Sequence, residues 1–332
     1  MTSTPRNRSA KSTPRFRGEP RTEPTTTLRI GTRASKLARV QTDAVASALG
    51  VPVEIVPIST EGDRSAEAIT QLGGTGVFVS ALRQALLDRE IDVAVHSYKD
   101  LPTAPADGIT IAAVPLREDP RDALVARDGL VLGELPPGAT VGTGSPRRAA
   151  QLRALGLGIE VVPLRGNVDT RLRRVADGDL DAVVLAYAGL RRLGREDEVT
   201  EILDPIQVLP APAQGALAVE CRSSDNAAIA LVAELDHADS RAAVAAERAL
   251  LAALEAGCSA PVGALADITV SDIAGDVETL EVFLRGSVTA LDGSDAVRQS
   301  ATGPLTDAEG VGRRLAAELL ADGADTMMGS NK

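Results

Sequence analysis

From residue 28 onward the chain alternates short apolar runs with segments whose apolar residues recur at helical spacing. LRIGT (28–32) predicts a strand. SKLARVQTDAVASAL (35–49) predicts a helix, with Ser35 in the N-cap position. VEIVPIST (53–60) is the next strand, and the Gly-rich loop LGGTGVF (72–78) leads into the helical stretch VSALRQALLDRE. IDVAVHS (91–97) is apolar enough to be buried on both faces, as in a parallel sheet. The same plan then recurs. ATVGTG (139–144) predicts a strand, and SPRRAAQLRAL (145–155) a helix with Ser145 as N-cap and Pro146 in its first turn. IEVVPLRG and NVDTRLRRVADG form a further strand and helix, and LDAVVLAYAGL (180–190) is expected to run on as one strand.

Two of these segments align. IDVAVHSYKDL (91–101) and LDAVVLAYAGL (180–190) share an apolar pattern that sets Asp92 against Asp181 and Tyr98 against Tyr187, and GTRAS (31–35) matches GTGSP (142–146). Two related α/β domains follow from this. After residue 235 the pattern changes. SRAAVAAERALLAALEAG (240–257) is an Ala-rich helix and GCSAPVG (257–263) a loop. ITVSD, LEVFLRGSVTAL and AVRQSATG alternate as in a small antiparallel sheet, and EGVGRRLAAELLADG (309–323) closes the chain as a helix. The expected fold is therefore α/β: two such domains, 28–116 with 216–234 and 117–215, and a C-terminal α+β domain, 235–332. Residues 1–27, rich in Arg, Pro, Ser and Thr, cannot bury enough apolar surface to offset their ordering entropy and are expected to be a disordered tail rather than a transit peptide.

Length and charge narrow the function. The chain has 332 residues, enough for two or three domains, and a net charge of −11, which excludes a phosphate-binding face over the bulk of the protein. Local basic clusters then become informative. No run spans a bilayer, and two cysteines without a secretory segment suggest a reduced, cytoplasmic protein.

The stretch VAVHSYKDLP (93–102) ends a buried strand on a cation and a carboxylate, Lys99 and Asp100. Where this copy has His96, Lys99 and Asp100, the other has Leu185, Ala188 and Gly189, so the architecture does not demand charge here. The pair is either a surface salt bridge of little energy or part of the chemistry. Arg33, Arg147, Arg148, Arg165 and Arg171 gather at strand ends and helix starts, where α/β folds hold ligands. In a first helical turn Arg147 and Arg148 oppose the helix dipole unless an anion sits there, which predicts a ligand carrying several carboxylates or phosphates. LGGTGVF lacks the Lys-Ser/Thr ending of a P-loop, so a nucleotide is not expected. His96 and His237 are too few and too far apart for a metal site, and His96 fits a satisfied core position. Cys258, in a loop of small residues, is reachable by a bulky group and would need a cationic neighbour for activation; Cys221 fits a structural role.

Taken in order, GTRAS, VAVHSYKDLP, REDPRDAL (117–124), GTGSPRRAAQL, LRGNVDTRL (164–172), LPAPAQGALAVECR (209–222) and EAGCSAPVG make the chain resemble the porphobilinogen deaminase (hydroxymethylbilane synthase) family over nearly its whole length. The resemblance implies two lobes like those of periplasmic binding proteins plus a third domain. It implies a transferase that condenses four porphobilinogen units head to tail, releasing ammonia, on a dipyrromethane cofactor bound as a thioether to Cys258. It makes Asp100 the catalytic carboxylate. Lys99, Arg147, Arg148, Ser145, Thr143 and Ser97 become cofactor-site residues, and Arg33, Ser35, Arg165, Arg171, Gln214 and Phe78 substrate-site residues. It further implies a cytoplasmic monomer of tetrapyrrole biosynthesis whose partner is its small-molecule substrate, with no nucleic acid, membrane or metal. The chain departs from the family's usual pattern at Gln71 and Thr75, where lysines are common, and at Tyr98 and Pro146. A two-lobed solute-binding protein for an acidic ligand is the competing reading; it leaves Asp100, Cys258 and the third domain unexplained. A transcriptional effector-binding domain is a third, without a visible helix-turn-helix.

Overall fold

The computed structural model describes residues 27–58, 77–256, 260–274 and 277–328. The expected tail up to residue 26, the Gly-rich loop up to residue 76 with Gln71 and Thr75, and Cys258 lie outside the described residues, as does the Phe78 side chain.

Three sheets organise the chain. β1 (Leu28–Arg33), β2 (Val53–Ile58), β3 (Val93–Ser97) and β4 (Ile109–Ala113) open the first. β5 (Asp122–Ala126), β6 (Thr140–Thr143), β7 (Glu160–Pro163), β8 (Ala182–Ala186) and β9 (Glu201–Ile202) make the second, after which β10 (Leu217–Arg222) returns to the first. The orders are β2-β1-β3-β10-β4 and β7-β6-β8-β5-β9. In each, four of the five strands share one direction and the remaining one, β10 or β5, is antiparallel to both its neighbours. The two lobes thus share one topology, as their sequence alignment implies.

The aligned residues also do the same work. The Asp92 carboxylate accepts from the Arg29 backbone N–H at 3.1 Å, and the Asp181 carboxylate accepts from that of Thr140 at 2.6 Å. The Asp92 and Asp181 N–H groups in turn donate to the Arg29 and Thr140 carbonyls. Gly31 and Gly142 occupy matching crossings: a Cβ would lie 2.3 Å from Ile91 Cδ1 at the first and 2.7 Å from Leu180 Cδ1 at the second.

Helices cover the sheets: α1 (Lys36–Leu49), α2 (Val77–Leu87), α3 (Pro146–Ala154), α4 (Val168–Ala176), α5 (Tyr187–Arg192) and α6 (Asn226–Ala233). Ser35 caps α1 by accepting from the Ala38 N–H, and Ser145 caps α3 by accepting from that of Arg148, as expected. One expectation needs correcting: the segment 180–190 is not a single strand. β8 stops at Ala186 and α5 begins at Tyr187. Ala186 pairs with Asp122, the first residue of β5; one more backbone bond, from the Tyr187 N–H to the Arg121 carbonyl at 3.0 Å, follows before the chain turns into a helix.

The third unit comprises α7 (Ala238–Ala253), β11 (Val262–Ala274), β12 (Val277–Thr289), β13 (Ala296–Pro304) and α8 (Ala308–Ala321). Its antiparallel sheet, in the order β11-β12-β13, packs on α7 and α8 through Leu250, Val282, Leu284, Val311 and Leu315. Each such fully buried side chain contributes roughly 1.5–3 kcal/mol. α7 is shorter than its Ala-rich sequence suggests, since Leu254 caps it and Glu255 takes a left-handed φ of 51°.

Two crossovers join the lobes, from β4 to β5 and from β9 to β10. They touch at Gly215, whose φ of 87° and 2.3 Å approach of a would-be Cβ to the Glu118 carbonyl admit only glycine. The buried Glu247 of α7 holds both. Its carboxylate accepts from Arg117 at 2.7 and 3.0 Å, from the Ala213 N–H at 2.6 Å and from the Ala266 N–H at 2.8 Å. Ala213 itself has a left-handed φ of 61°, a strain of roughly 1–3 kcal/mol that this bond helps to hold.

Candidate active site

β3 delivers Ser97 to the cleft and then tightens into a 3-10 turn, Tyr98–Asp100, that carries Lys99 and Asp100. From the other lobe, α3 delivers Arg147 and Arg148 in its first turn. Both are buried, at 3 % and 6 % exposure. The anion they require is supplied by the chain itself. Asp122, fully buried at the start of β5, accepts from Arg147 Nη2 at 2.8 Å and from Arg148 Nε at 2.9 Å. The two arginines therefore do not, by their helix position alone, demand a ligand. Burial by itself would raise the Asp122 carboxyl; the charges of Arg147 and Arg148 prevail and hold it far below the usual carboxylate range.

Gln214, from the second crossover, ties this cluster to the opposite lobe. Its Nε2 donates to Asp122 Oδ1 and to the Pro120 carbonyl, both at 2.7 Å. Its Oε1 accepts from Arg148 Nη2 and from Lys99 Nζ, both at 3.2 Å. Burial, with Arg148 nearby, pushes the Lys99 ammonium down to about 8. Three cations, Lys99, Arg147 and Arg148, thus surround one fully buried carboxylate, and among the described residues Arg147 Nε, itself buried, has no hydrogen-bond partner. Asp100 adds a second negative charge beside Lys99; among the described residues its carboxylate accepts no hydrogen bond.

The remaining expected residues stand at different distances from this cluster. Thr143 is buried, and its Oγ1 accepts from the Ser145 N–H at 3.2 Å. Arg171 donates to the Gly166 carbonyl at 2.8 Å and lies beside Gly144; burial and the charge of Arg148 depress its guanidinium. Ser97 exchanges hydrogen bonds with the buried Gln41 at 2.9 and 3.1 Å, fixing its hydroxyl at the cleft wall. Arg33 and Ser35 end β1 and begin α1. Arg165 is exposed and stands apart from the network.

Sequence reasoning missed three residues here: Asp122, Gln41 and Arg192. Asp122 opens an otherwise apolar strand, DALVA, every residue of which is buried. Gln41 interrupts the apolar stripe of α1. Arg192, which donates to the Gly215 carbonyl at 2.6 Å and lines the cleft with Gln41, Ser97 and Lys99, was hidden by the expectation of a continuous strand.

The other candidates behave structurally. His96 Nε2 lies 3.1 Å from Glu220 Oε2. Burial would raise Glu220, but His96 and Arg83 hold it down to about 2. Cys221 is fully buried, and burial pushes its thiol up to about 12, so it is inert. Among the described residues no group of His, Cys, Asp and Glu could hold a metal, and no helix is long and apolar enough to cross a membrane.

The Cys258 segment is bracketed by described structure. The chain resumes at Ala260, and Gly263, five residues past Cys258, packs against Leu209 with a would-be Cβ 2.9 Å from its carbonyl oxygen. That same carbonyl accepts from Arg147.

Comparison with known proteins gives two family-model matches: "Porphobilinogen deaminase, dipyromethane cofactor binding domain" over residues 28–230 and "Porphobilinogen deaminase, C-terminal domain" over residues 241–321. Porphobilinogen deaminase of Mycobacterium marinum is 62 % identical over 305 residues, covering 91 % of this chain and 96 % of the relative. That of Mycobacterium tuberculosis is 61 % identical over the same length, covering 91 % and 98 %. Among solved structures, the L-cystine solute receptor of Neisseria gonorrhoeae aligns with a TM-score of 0.34 and 18 % identity, over 63 % of this chain and 84 % of the receptor.

Proposed function

The chain belongs to the porphobilinogen deaminase family, and from that premise we propose that it joins porphobilinogen units head to tail on a dipyrromethane held through the Cys258 sulfur. It is a transferase whose product, hydroxymethylbilane, feeds tetrapyrrole biosynthesis. The same reading puts the reaction in the cytoplasm.

One observation carries the reading: the excess of positive charge at Lys99, Arg147 and Arg148 over Asp122 and Asp100, bridged between the lobes by Gln214. A pyrrole bearing acetate and propionate groups fits such a cluster, because guanidinium forks bind carboxylates in two-pronged geometry. Arg147 and Arg148, oriented by Asp122 and with Arg147 Nε still unbonded, hold those carboxylates together with Lys99; Ser97, Thr143 and Ser145 line their approach. Arg33, Ser35, Arg165, Arg171, Gln214 and Phe78 serve the incoming substrate. When bound, the dipyrromethane supplies the carbon nucleophile to which each new unit is joined.

Asp100 is the catalytic group. Loss of ammonia leaves the substrate pyrrole positively charged, and a fixed carboxylate stabilises that charge as it develops. Asp100 also takes the proton released when the new carbon–carbon bond forms.

Mass spectrometry of the denatured chain tests the assignment. The wild type should be heavier by two linked pyrroles, Cys258→Ala should lack the added mass, and Asp100→Ala should carry it while turning over at least a hundredfold more slowly. An unmodified wild-type chain that binds porphobilinogen reversibly without releasing ammonia would refute it.

A further inference from the structure

The turn carrying Lys99 and Asp100 is held from behind by a residue of the third unit. Arg248 of α7 donates through Nη1 to the Tyr98 carbonyl at 3.4 Å and the Leu101 carbonyl at 3.0 Å, and through Nη2 to the Pro102 carbonyl at 2.5 Å. Its guanidinium carbon stands 4.5 Å from the centroid of the Tyr98 ring. These three carbonyls flank Lys99 and Asp100 on both sides. Tyr98 is buried in a cluster that includes Val244, one turn earlier on the same helix. The ring and the carbonyls therefore give Arg248 one defined place. A planar fork can satisfy several diverging carbonyls at once, which an ammonium on a flexible stem cannot. A cation also suits the carbonyl end of a short helical turn.

We propose that Arg248 is a positioning residue: it fixes the backbone of residues 98–102, and through it the direction of the Asp100 carboxylate, against the helix that leads into the Cys258 segment. This rests on the reading of Asp100 as the catalytic group. Tyr98, which departs from the family's usual residue, supplies the face on which the guanidinium rests.

The test uses the full-length, primer-loaded enzyme and three variants, Arg248→Met, Arg248→Lys and Tyr98→Leu. Each rate is divided by the loaded fraction measured by mass. In Arg248→Met, kcat should fall roughly tenfold to a hundredfold, the scale of a misplaced reacting group, while KM changes by less than about threefold. Arg248→Lys should recover part of the loss, and Tyr98→Leu, which keeps the carbonyl bonds, should lose less than about threefold. Amide exchange across residues 98–102 should quicken in Arg248→Met but hardly in Tyr98→Leu. A kcat per loaded enzyme that is unchanged in Arg248→Met and Arg248→Lys, with only a lower melting temperature, would overturn the proposal; if Arg248→Met does not fold, the lysine variant decides. Failure of the function reading looks different: the wild type itself would carry no pyrrole mass. In that case unaltered exchange at 98–102 in the variants would still refute the contact's role.

Discussion

Lys99 sits between opposing influences: burial and the charge of Arg148 push its proton off, while Asp100 and Asp122 retain it. With its pKa pushed down to about 8, the folded enzyme sheds this proton before the unfolded chain does, whose lysines titrate near ~10.4. Between those values rising pH therefore favours the folded state at this residue. Binding of carboxylates runs the other way, because it needs the ammonium. The rate at which the apo chain takes up its dipyrromethane is accordingly expected to fall as pH passes through about 8, and Lys99→Met should abolish that limb. A flat profile in the wild type would count against Lys99 as a carboxylate ligand. At this scale the chain was partly legible. Charge at a strand end marked Lys99 and Asp100, and repetition marked the arginines. Asp122 was not found, because a lone carboxylate in an apolar strand reveals its partners only once α3 packs against β5.

The aligned acids Asp92 and Asp181 show how much of an element is written locally. Each follows a helix, precedes a central strand and closes onto the backbone of the strand beside it. Their surroundings differ. Asp181 pairs with the half-exposed Arg127, whereas Asp92 accepts from both Arg29 and the buried Arg222. Asp181→Ala should cost about 1–3 kcal/mol, the loss of a charged acceptor from a backbone donor, and Asp92→Ala more, because it also removes the acceptor shared by the Arg29 and Arg222 guanidiniums. Amide exchange at Thr140 and Arg29 would report each loss locally, with kcat per loaded enzyme unchanged in Asp181→Ala; persisting protection of the Thr140 amide would refute the equivalence. Most of the strand and helix order was legible, since period and caps are local, though β4, β5, β9, α5 and α6 escaped it. The end of β8 was not, because it depends on where β5 begins, some sixty residues earlier.

For the whole molecule, one buried carboxylate joins the crossovers to the third unit. Glu247 links the first crossover through Arg117, the second through Ala213 and the third unit through Ala266. Glu247→Gln should leave Arg117 buried without its counter-charge, at a cost on the order of 3–5 kcal/mol. Faster amide exchange at both Ala213 and Ala266 and a lower denaturant midpoint are the expected readouts; unaltered exchange at the two sites would show that the crossovers are held by something else. This joint was invisible in the sequence, because Arg117 lies 130 residues from Glu247 and only the assembled third unit brings the members together. The arrangement of crossovers has a consequence for biosynthesis. β10 lies between β3 and β4, yet it is made only after the whole second lobe. A nascent chain on the ribosome therefore holds its first sheet split, with two open edges, until residues 217–222 emerge, and during that interval it is the second lobe, complete in itself, that can fold first.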